Sequence, residues 1–292
     1  IEAQLKGEVQ ELLALAEEAD AAHLPDGMSL PEELKRREDR LAAIAEAKVK
    51  IEARAAERWG REQADHEAKL AARAAKAAAT GRKPGGKPPK APTPGPRPDD
   101  QINLTDEESR IMPIAGGGFE QCYNAQAMVD TETMLVLVPQ VTQAANDKQQ
   151  LAPLLEKLQA LPEEINRTEQ LLADAGYFSE ANVTACDSAG IEPAIAIKRD
   201  AHHPHWSERF TSPEAPPAEA PPVERMAHRL KTPKGRATYA LRKQTVEPVF
   251  GIIKSVMGFR QFLTRGLDHV QNEWTLVCLA WNLKRMAVLR PQ

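Results

Sequence analysis

The chain has 292 residues, 42 % hydrophobic and 27 % charged, which is enough apolar material for one large domain or two modest ones and too much for a disordered chain. No run approaches the roughly 18 to 20 consecutive apolar residues of a membrane span, and the opening IEAQLKGEVQ lacks the basic-then-apolar order of a secretion signal, so a cytoplasmic protein with no membrane role is expected. The net charge of −4 conceals an asymmetry: from Arg225 to Arg290, thirteen basic residues stand against Glu247, Asp268 and Glu273, giving either a surface that neutralises DNA phosphates or a set of solvated helix faces.

Residues 1–80 read as a helical region, rich in Ala, Glu, Lys and Arg. Pro25 and Gly27 stop a first helix, and Ser29 with Glu32 three residues later has capping-box spacing for a second. Leu34, Leu41, Ile44, Ile51 and Ala55 follow a loose heptad, but Arg37, Lys48 and Arg58 take other seam positions, so a solvated arm is expected rather than a coiled coil. No helix-turn-helix pattern is visible there, and because the chain begins at Ile1 the region reads as a fragment of a larger domain.

GRKPGGKPPKAPTPGPRPDD, residues 81–100, is too rich in Pro and Gly for helix or sheet and reads as a linker. Residues 101–292 then form the second domain. FEQCYNAQAMV leads to Asp130, and TMLVLVPQVT after a short turn completes a hairpin. Asn146 and Asp147 stand where they would cap a helix carrying Leu151, Leu154, Leu155 and Leu158. A strand EQLLAD ends at Asp174, a helix starts at Ser179, and IEPAIAIK gives another strand. This order predicts an α/β fold, a mixed sheet flanked by helices and preceded by a mostly helical arm. A Pro-rich insertion around residues 200–224 interrupts it, and from Ala237 the chain is helical to its end.

Two acids, Asp130 and Asp174, close strands, where a rigid frame can hold reactive groups while loops leave room for a substrate. Gly176 follows the second and permits close approach of backbone or ligand. Glu247 is the single acid between Arg225 and Leu267. Converging carboxylates could hold Mg²⁺, which prefers oxygen ligands and keeps several waters, and a pair of such ions can activate a nucleophile and stabilise a leaving oxygen in phosphodiester chemistry. Equally, a strand-end Asp is often a turn former and a helix Glu a solvated group. Asn124 and Gln126 alternate onto the strand face that also carries Asp130, either to support a site or to satisfy hydrogen bonds in the sheet. His202, His203 and His205 cluster without a Cys or carboxylate at ligand spacing, Trp274 and Trp281 share a helix face as core residues do, and Cys122, Cys186 and Cys278 fit reduced core thiols.

Six segments in order resemble the DDE transposases of bacterial insertion sequences: DEESRIM, GGFEQCYNAQAMVD, VTQAANDKQQL, LLADAGYFS, TPKGRATYALRKQTVEPVFGIIK and FRQFLTRGLDHVQNEWTLVCLAWNLKRM. The resemblance implies an RNase H-like catalytic domain in which Asp130, Asp174 and Glu247 bind catalytic Mg²⁺ or Mn²⁺, two ions in all. It further implies DNA-contacting roles for Tyr239, Arg242 and Lys254 around the Glu, although Lys243, four residues before Glu247, matches the family spacing as well as Arg242 at five. DNA strand cleavage and transfer on element-end inverted repeats and target DNA, by a homodimer associated with the nucleoid, is the implied function. An RNase H-like nuclease, or a non-catalytic DNA-binding remnant of a transposase, is the alternative.

Overall fold

A computed structural model of the chain describes residues 1–17, 29–82, 85–114, 116–165, 167–197, 214–217 and 219–290, which divide into two compact units, Ile1–Glu107 and Glu108–Gln292. The expected turn at Pro25 and Gly27 and the His202, His203 and His205 cluster lie outside the described residues.

In the first unit, helix α1 (Glu2–Glu17) packs on the 51-residue helix α2 (Leu30–Thr80). Ion pairs from Glu2 to Lys48 and from Glu8 to Arg37 fix the two as antiparallel neighbours. Little apolar surface joins them, with Leu5 and Ala47 the buried residues near those pairs, so α2 is the solvated arm its composition predicts. The capping box is not formed. Ser29 holds the N-cap position, but its hydroxyl makes no capping bond, and Pro31 in the first turn removes one amide it would have accepted from. At the other end Gly81 takes the left-handed conformation, φ 64°, that terminates a helix without a Cβ clash.

The Pro/Gly-rich segment does more than space two domains. Arg73 donates to the carbonyls of Gly85 and Gly86 at 3.2 and 2.7 Å, His66 contacts the carbonyl of Pro89 at 3.2 Å, and Arg58 grips Asp100 through both guanidinium nitrogens. Arg97 pairs with Glu62. An extended Pro-rich chain leaves its carbonyls without internal partners, and the arginines of α2 satisfy them, so residues 85–100 lie along the helix as a strap.

The second unit begins with a hairpin of β1 (Arg110–Pro113) and β2 (Phe119–Cys122), turned by Gly116, Gly117 and Gly118, all at φ near +95° where a side chain would be strained. Strands β3 (Asn124–Val129) and β4 (Val136–Thr142) pair antiparallel, with a register shift between Met128 and Val129. Helix α3 (Leu151–Gln159) follows, then β5 (Gln170–Ala173), a one-turn 3₁₀ segment (Ala175–Tyr177), α4 (Glu180–Ser188) and β6 (Glu192–Ile195), which runs parallel to β5 as a βαβ unit requires. Helices α5 (Pro222–Lys231), α6 (Pro233–Ser255) and α7 (Leu267–Leu289) complete the unit, so the last three residues of the expected Pro-rich insertion, from Pro222, are helical.

Among the described residues the strands form three separate two-stranded sheets rather than one continuous mixed sheet. Each sheet has its own packing partners. Leu151, Leu154, Leu155 and Leu158 of α3 meet Leu171, Ile195, Val183 and Met226 around β5 and β6. Val249 and Ile253 of α6 and Val270, Trp274, Cys278 and Trp281 of α7 cover β3 and β4. Burying a side chain of this size contributes roughly 1.5–3 kcal/mol, so these two clusters carry most of the unit's stability. Both indoles also find acceptors, Trp274 on the Gln126 carbonyl at 2.9 Å and Trp281 on that of Met134 at 2.8 Å. Helix α7 supplies polar partners to β4 as well: Asn282 bonds both the amide and carbonyl of Val136 at 2.8 Å, and Gln271 accepts from Val141. A strand edge left unpaired in this way would invite another chain, and α7 occupies it.

Candidate active site

The gap between the β3 and β5 edges is a cavity of about 610 Å³ walled by residues 127–132, by residues 167–174, and by Arg242, Thr245 and Val246 of α6. Asp130 and Asp174 are both on its wall. Asp130 ends β3 and closes the hairpin turn: its Oδ2 accepts from the Thr133 amide at 2.7 Å and the Thr133 hydroxyl at 2.5 Å. Asp174 stands just past β5, and its Oδ1 accepts from the Gly176 amide at 2.8 Å, capping the 3₁₀ turn.

Asp147 is where sequence reasoning and structure part. Its expected role was to cap α3, but Gln150 holds that position and the Asp147 carboxylate turns instead toward β3. Its Oδ1 accepts from Asn124 Nδ2 and Gln126 Nε2, both at 2.8 Å. Of the two roles open to these amides, support of a site or hydrogen bonding in the sheet, their side-chain N–H groups take a third partner, Asp147. Asn124 and Gln126 lie toward the start of β3, whereas Asp130 lies past its far end, beyond the register shift at Met128 and Val129. The buried Asn182 of α4 ties the neighbourhood together, donating to the carbonyls of Lys148 at 2.8 Å and Tyr177 at 2.6 Å. Thus the loop after β4 and the turn after β5 are clamped side by side.

Gly176 sits between the two acids. A Cβ there would lie 2.9 Å from Asp174 Oδ1 and 3.3 Å from Asp147 Oδ2, so only glycine leaves both carboxylates where they are. Burial holds the Tyr177 phenol above its ordinary range, and the charges of Asp147 and Asp174 push in the same direction, so its hydroxyl stays protonated and can only donate or accept hydrogen bonds.

Tyr239, Arg242, Glu247 and Lys254 all fall on α6. Arg242 is mostly buried, stacks 5.8 Å over the Tyr239 ring, and pairs with Glu247 at 3.5 Å; its Nε is buried with no acceptor. Arg242 lines the cavity and Lys243 does not. Glu247, with 58 % of its side chain exposed, is absent from the cavity wall, and Lys254 is exposed with its ammonium 6.0 Å from the Phe250 ring centroid. The carboxylate oxygens suit a hard divalent cation. Among the described residues, however, no group of three or more His, Cys, Asp or Glu side chains is close enough to hold one, so Asp130 and Asp174 share a cavity while Glu247 is held by Arg242. Cys186 and Cys278 are buried thiols, pushed up to about 11 and about 12 respectively by burial, with the Asp187 charge adding to the first. Neither is a nucleophile at neutral pH.

The Transposase DDE domain family matches residues 90–283, well over half of the chain. The chain belongs to that family of transposases, and a transposition-related nuclease activity on DNA follows at that level of generality. No curated protein and no solved structure matches it. Among the described residues no helix is long and apolar enough to cross a membrane.

Proposed function

We propose that the chain catalyses strand cleavage and strand transfer in the transposition of an insertion sequence, on a domain of RNase H-like descent. The observation that carries this reading is a cavity flanked by strand ends, whose wall bears the strand-end carboxylates Asp130 and Asp174 alongside Glu132 and Glu169, together with the guanidinium side chains of Arg167 and Arg242. Carboxylates bind a hard cation and a guanidinium binds the phosphate that the cation also contacts. In the first step a water oxygen bonds to phosphorus at the element end and the bond to the 3′ oxygen breaks, that oxygen taking up a proton. In the second the freed 3′ hydroxyl attacks a target phosphorus, its proton leaves, and the target's own 3′ oxygen departs.

Asp130, Asp174 and Glu247 are the residues that would hold Mg²⁺ or Mn²⁺, two ions in this reading, and the metal would supply Lewis-acid stabilisation of the phosphoryl oxygens. Arg242 binds the scissile phosphate from the cavity wall, which releases Glu247 from the ion pair. Tyr239 backs the Arg242 guanidinium, and Lys254 and the basic residues of α5 to α7 track the DNA backbone. Two copies act together on the two element ends.

Nicking and joining of DNA carrying the inverted repeats that flank the coding region, with Mg²⁺ or Mn²⁺, tests this. Loss of both products in Asp174→Asn, with the fold intact, is expected; undiminished turnover in that variant refutes it. The separation of Glu247 from the cavity favours a second reading, a DNA-binding remnant without turnover, for which DNA would bind yet no product would form under any metal. Cleavage without joining would instead mark a simple nuclease.

A further inference from the structure

We infer that Asp147 and Asp174, drawn from the loops after β4 and β5, form a two-carboxylate site for one divalent cation, held in shape by Asn124, Gln126 and Asn182. Three independent observations converge on it. The first is geometric: Asp147 Oδ2 and Asp174 Oδ1 both approach the same point above Gly176, 3.3 and 2.9 Å from where a Cβ would stand, in a cradle that any side chain would fill. The second is electrostatic. Neither acid has an ion-pair partner among the described residues, so two anions face each other without a compensating charge, an arrangement that a bound cation relieves.

The third is an orphaned acceptor. Gln126 is 3 % exposed and spends its Nε2 on Asp147, while the carbonyl oxygen of the same amide is buried with no hydrogen-bond donor. A buried acceptor left in this state costs about 1–3 kcal/mol unless a donor arrives, and it stands on the very amide that holds Asp147 Oδ1. Mg²⁺ and Mn²⁺ are content with one or two carboxylates and several waters, which is the donor set present. Asp147 Oδ1 is already saturated by two amide N–H groups, so Oδ2, which carries no hydrogen bond among the described residues, is the ligand atom.

Only the purpose of this ion, phosphoryl transfer, rests on the proposed function; its binding stands apart. Asp147→Asn tests it with little steric change, since an Asn carbonyl at the Oδ1 position still accepts from Asn124 and Gln126. Mn²⁺ titrated calorimetrically into the full chain without DNA should bind at least tenfold more weakly to Asp147→Asn and to Asp174→Asn, and with unchanged affinity to the surface variant Glu156→Gln. Wild-type affinity in Asp147→Asn overturns the proposal. Should that variant fail to fold, Fe²⁺ and ascorbate on the wild-type chain give a second reading: backbone cuts clustered near residues 147 and 174–177 support the site, and cuts confined to other segments overturn it. Wild-type Mn²⁺ affinity in Asp147→Asn beside intact DNA cleavage would sink this site while leaving the proposed function in place; Mn²⁺ binding at the pair without any DNA cleavage would do the reverse.

Discussion

Gly176→Ala is the sharpest single perturbation of this centre. The added methyl would start 2.9 Å from Asp174 Oδ1, closer than carbon and oxygen tolerate, and 3.3 Å from Asp147 Oδ2. The nearer obstacle is the end of a rotatable side chain, so the Asp174 carboxylate swings away and the backbone stays. That motion breaks the 2.8 Å bond from the Gly176 amide, a capping interaction whose loss costs about 0.5–2 kcal/mol and, at an exposed position, the lower end of that range. Stability should thus fall by under about 1 kcal/mol, while a displaced ligand should weaken Mn²⁺ binding about tenfold, equivalent to about 1.4 kcal/mol. Thermal unfolding with and without Mn²⁺ separates the two effects: the melting temperature of the free variant should barely move, and the Mn²⁺-induced rise should shrink. A variant that is strongly destabilised, or that keeps the full Mn²⁺ response, would refute the reasoning.

Arg242→Ala should bind DNA yet cut it at least about a hundredfold more slowly, as loss of a preorganised phosphate contact does, in a nicking assay at saturating DNA. Trp274→Phe keeps the stacking on Phe250 at 5.6 Å but loses the bond to Gln126, and should cost about 1 kcal/mol in urea unfolding; Trp274→Ala should cost about 3–5 kcal/mol. Arg58→Ala removes both Asp100 contacts and the 3.3 Å bond to the Gly95 carbonyl, so trypsin should cut after Lys90 roughly tenfold faster than in the wild type. The buried thiols set an alkaline limit. Their pKa values are raised above the usual thiol value of 9, so the unfolded chain loses its protons first; stability is whole below about pH 9 and declines as pH climbs toward 11 and 12, which chemical denaturation at stepped pH would reveal.

Local pattern made the elements legible and left their assembly obscure. The leucines of α3 recur at 151, 154, 155 and 158, a spacing that has one sensible reading, and all four are buried. Trp274 and Trp281 on one face of α7 likewise read as core, and both are. Ser179 reads as a helix start, and its hydroxyl accepts from the Asn182 amide at 3.1 Å. What pattern could not supply was which strand lies beside which. Strands of four to seven residues have few side chains to specify partners, and the expected single sheet emerges as three pairs. Nor could composition show that Arg58, Arg73 and Arg97 tie the Pro-rich segment to its unit, because a free linker and a strap differ in tertiary hydrogen bonds alone.

The carboxylates illustrate the same limit at the site itself. Strand ends drew notice to Asp130 and Asp174, and both do face one cavity, but a strand has two ends and a hairpin sends them opposite ways. Asn124 and Gln126 point at Asp147 because they lie near the start of β3, beside the end of its antiparallel partner β4, whereas Asp130 lies past the other end. Parity along one strand places side chains on a face; it does not say which end of that face another loop will reach. The helix-capping rule then misassigned Asp147, since an Asp before a helix has the same sequence appearance whether its carboxylate caps or leaves. The deciding feature is a pair of carboxamides, Asn124 and the buried Gln126, needing an anion to donate to, together with a glycine where two acids converge. A sequence showing alternating Asn and Gln in a strand and an Asp-x-Gly turn after another carries that demand, and the Asp that answers it is the one whose main chain a third amide, Asn182, has brought alongside.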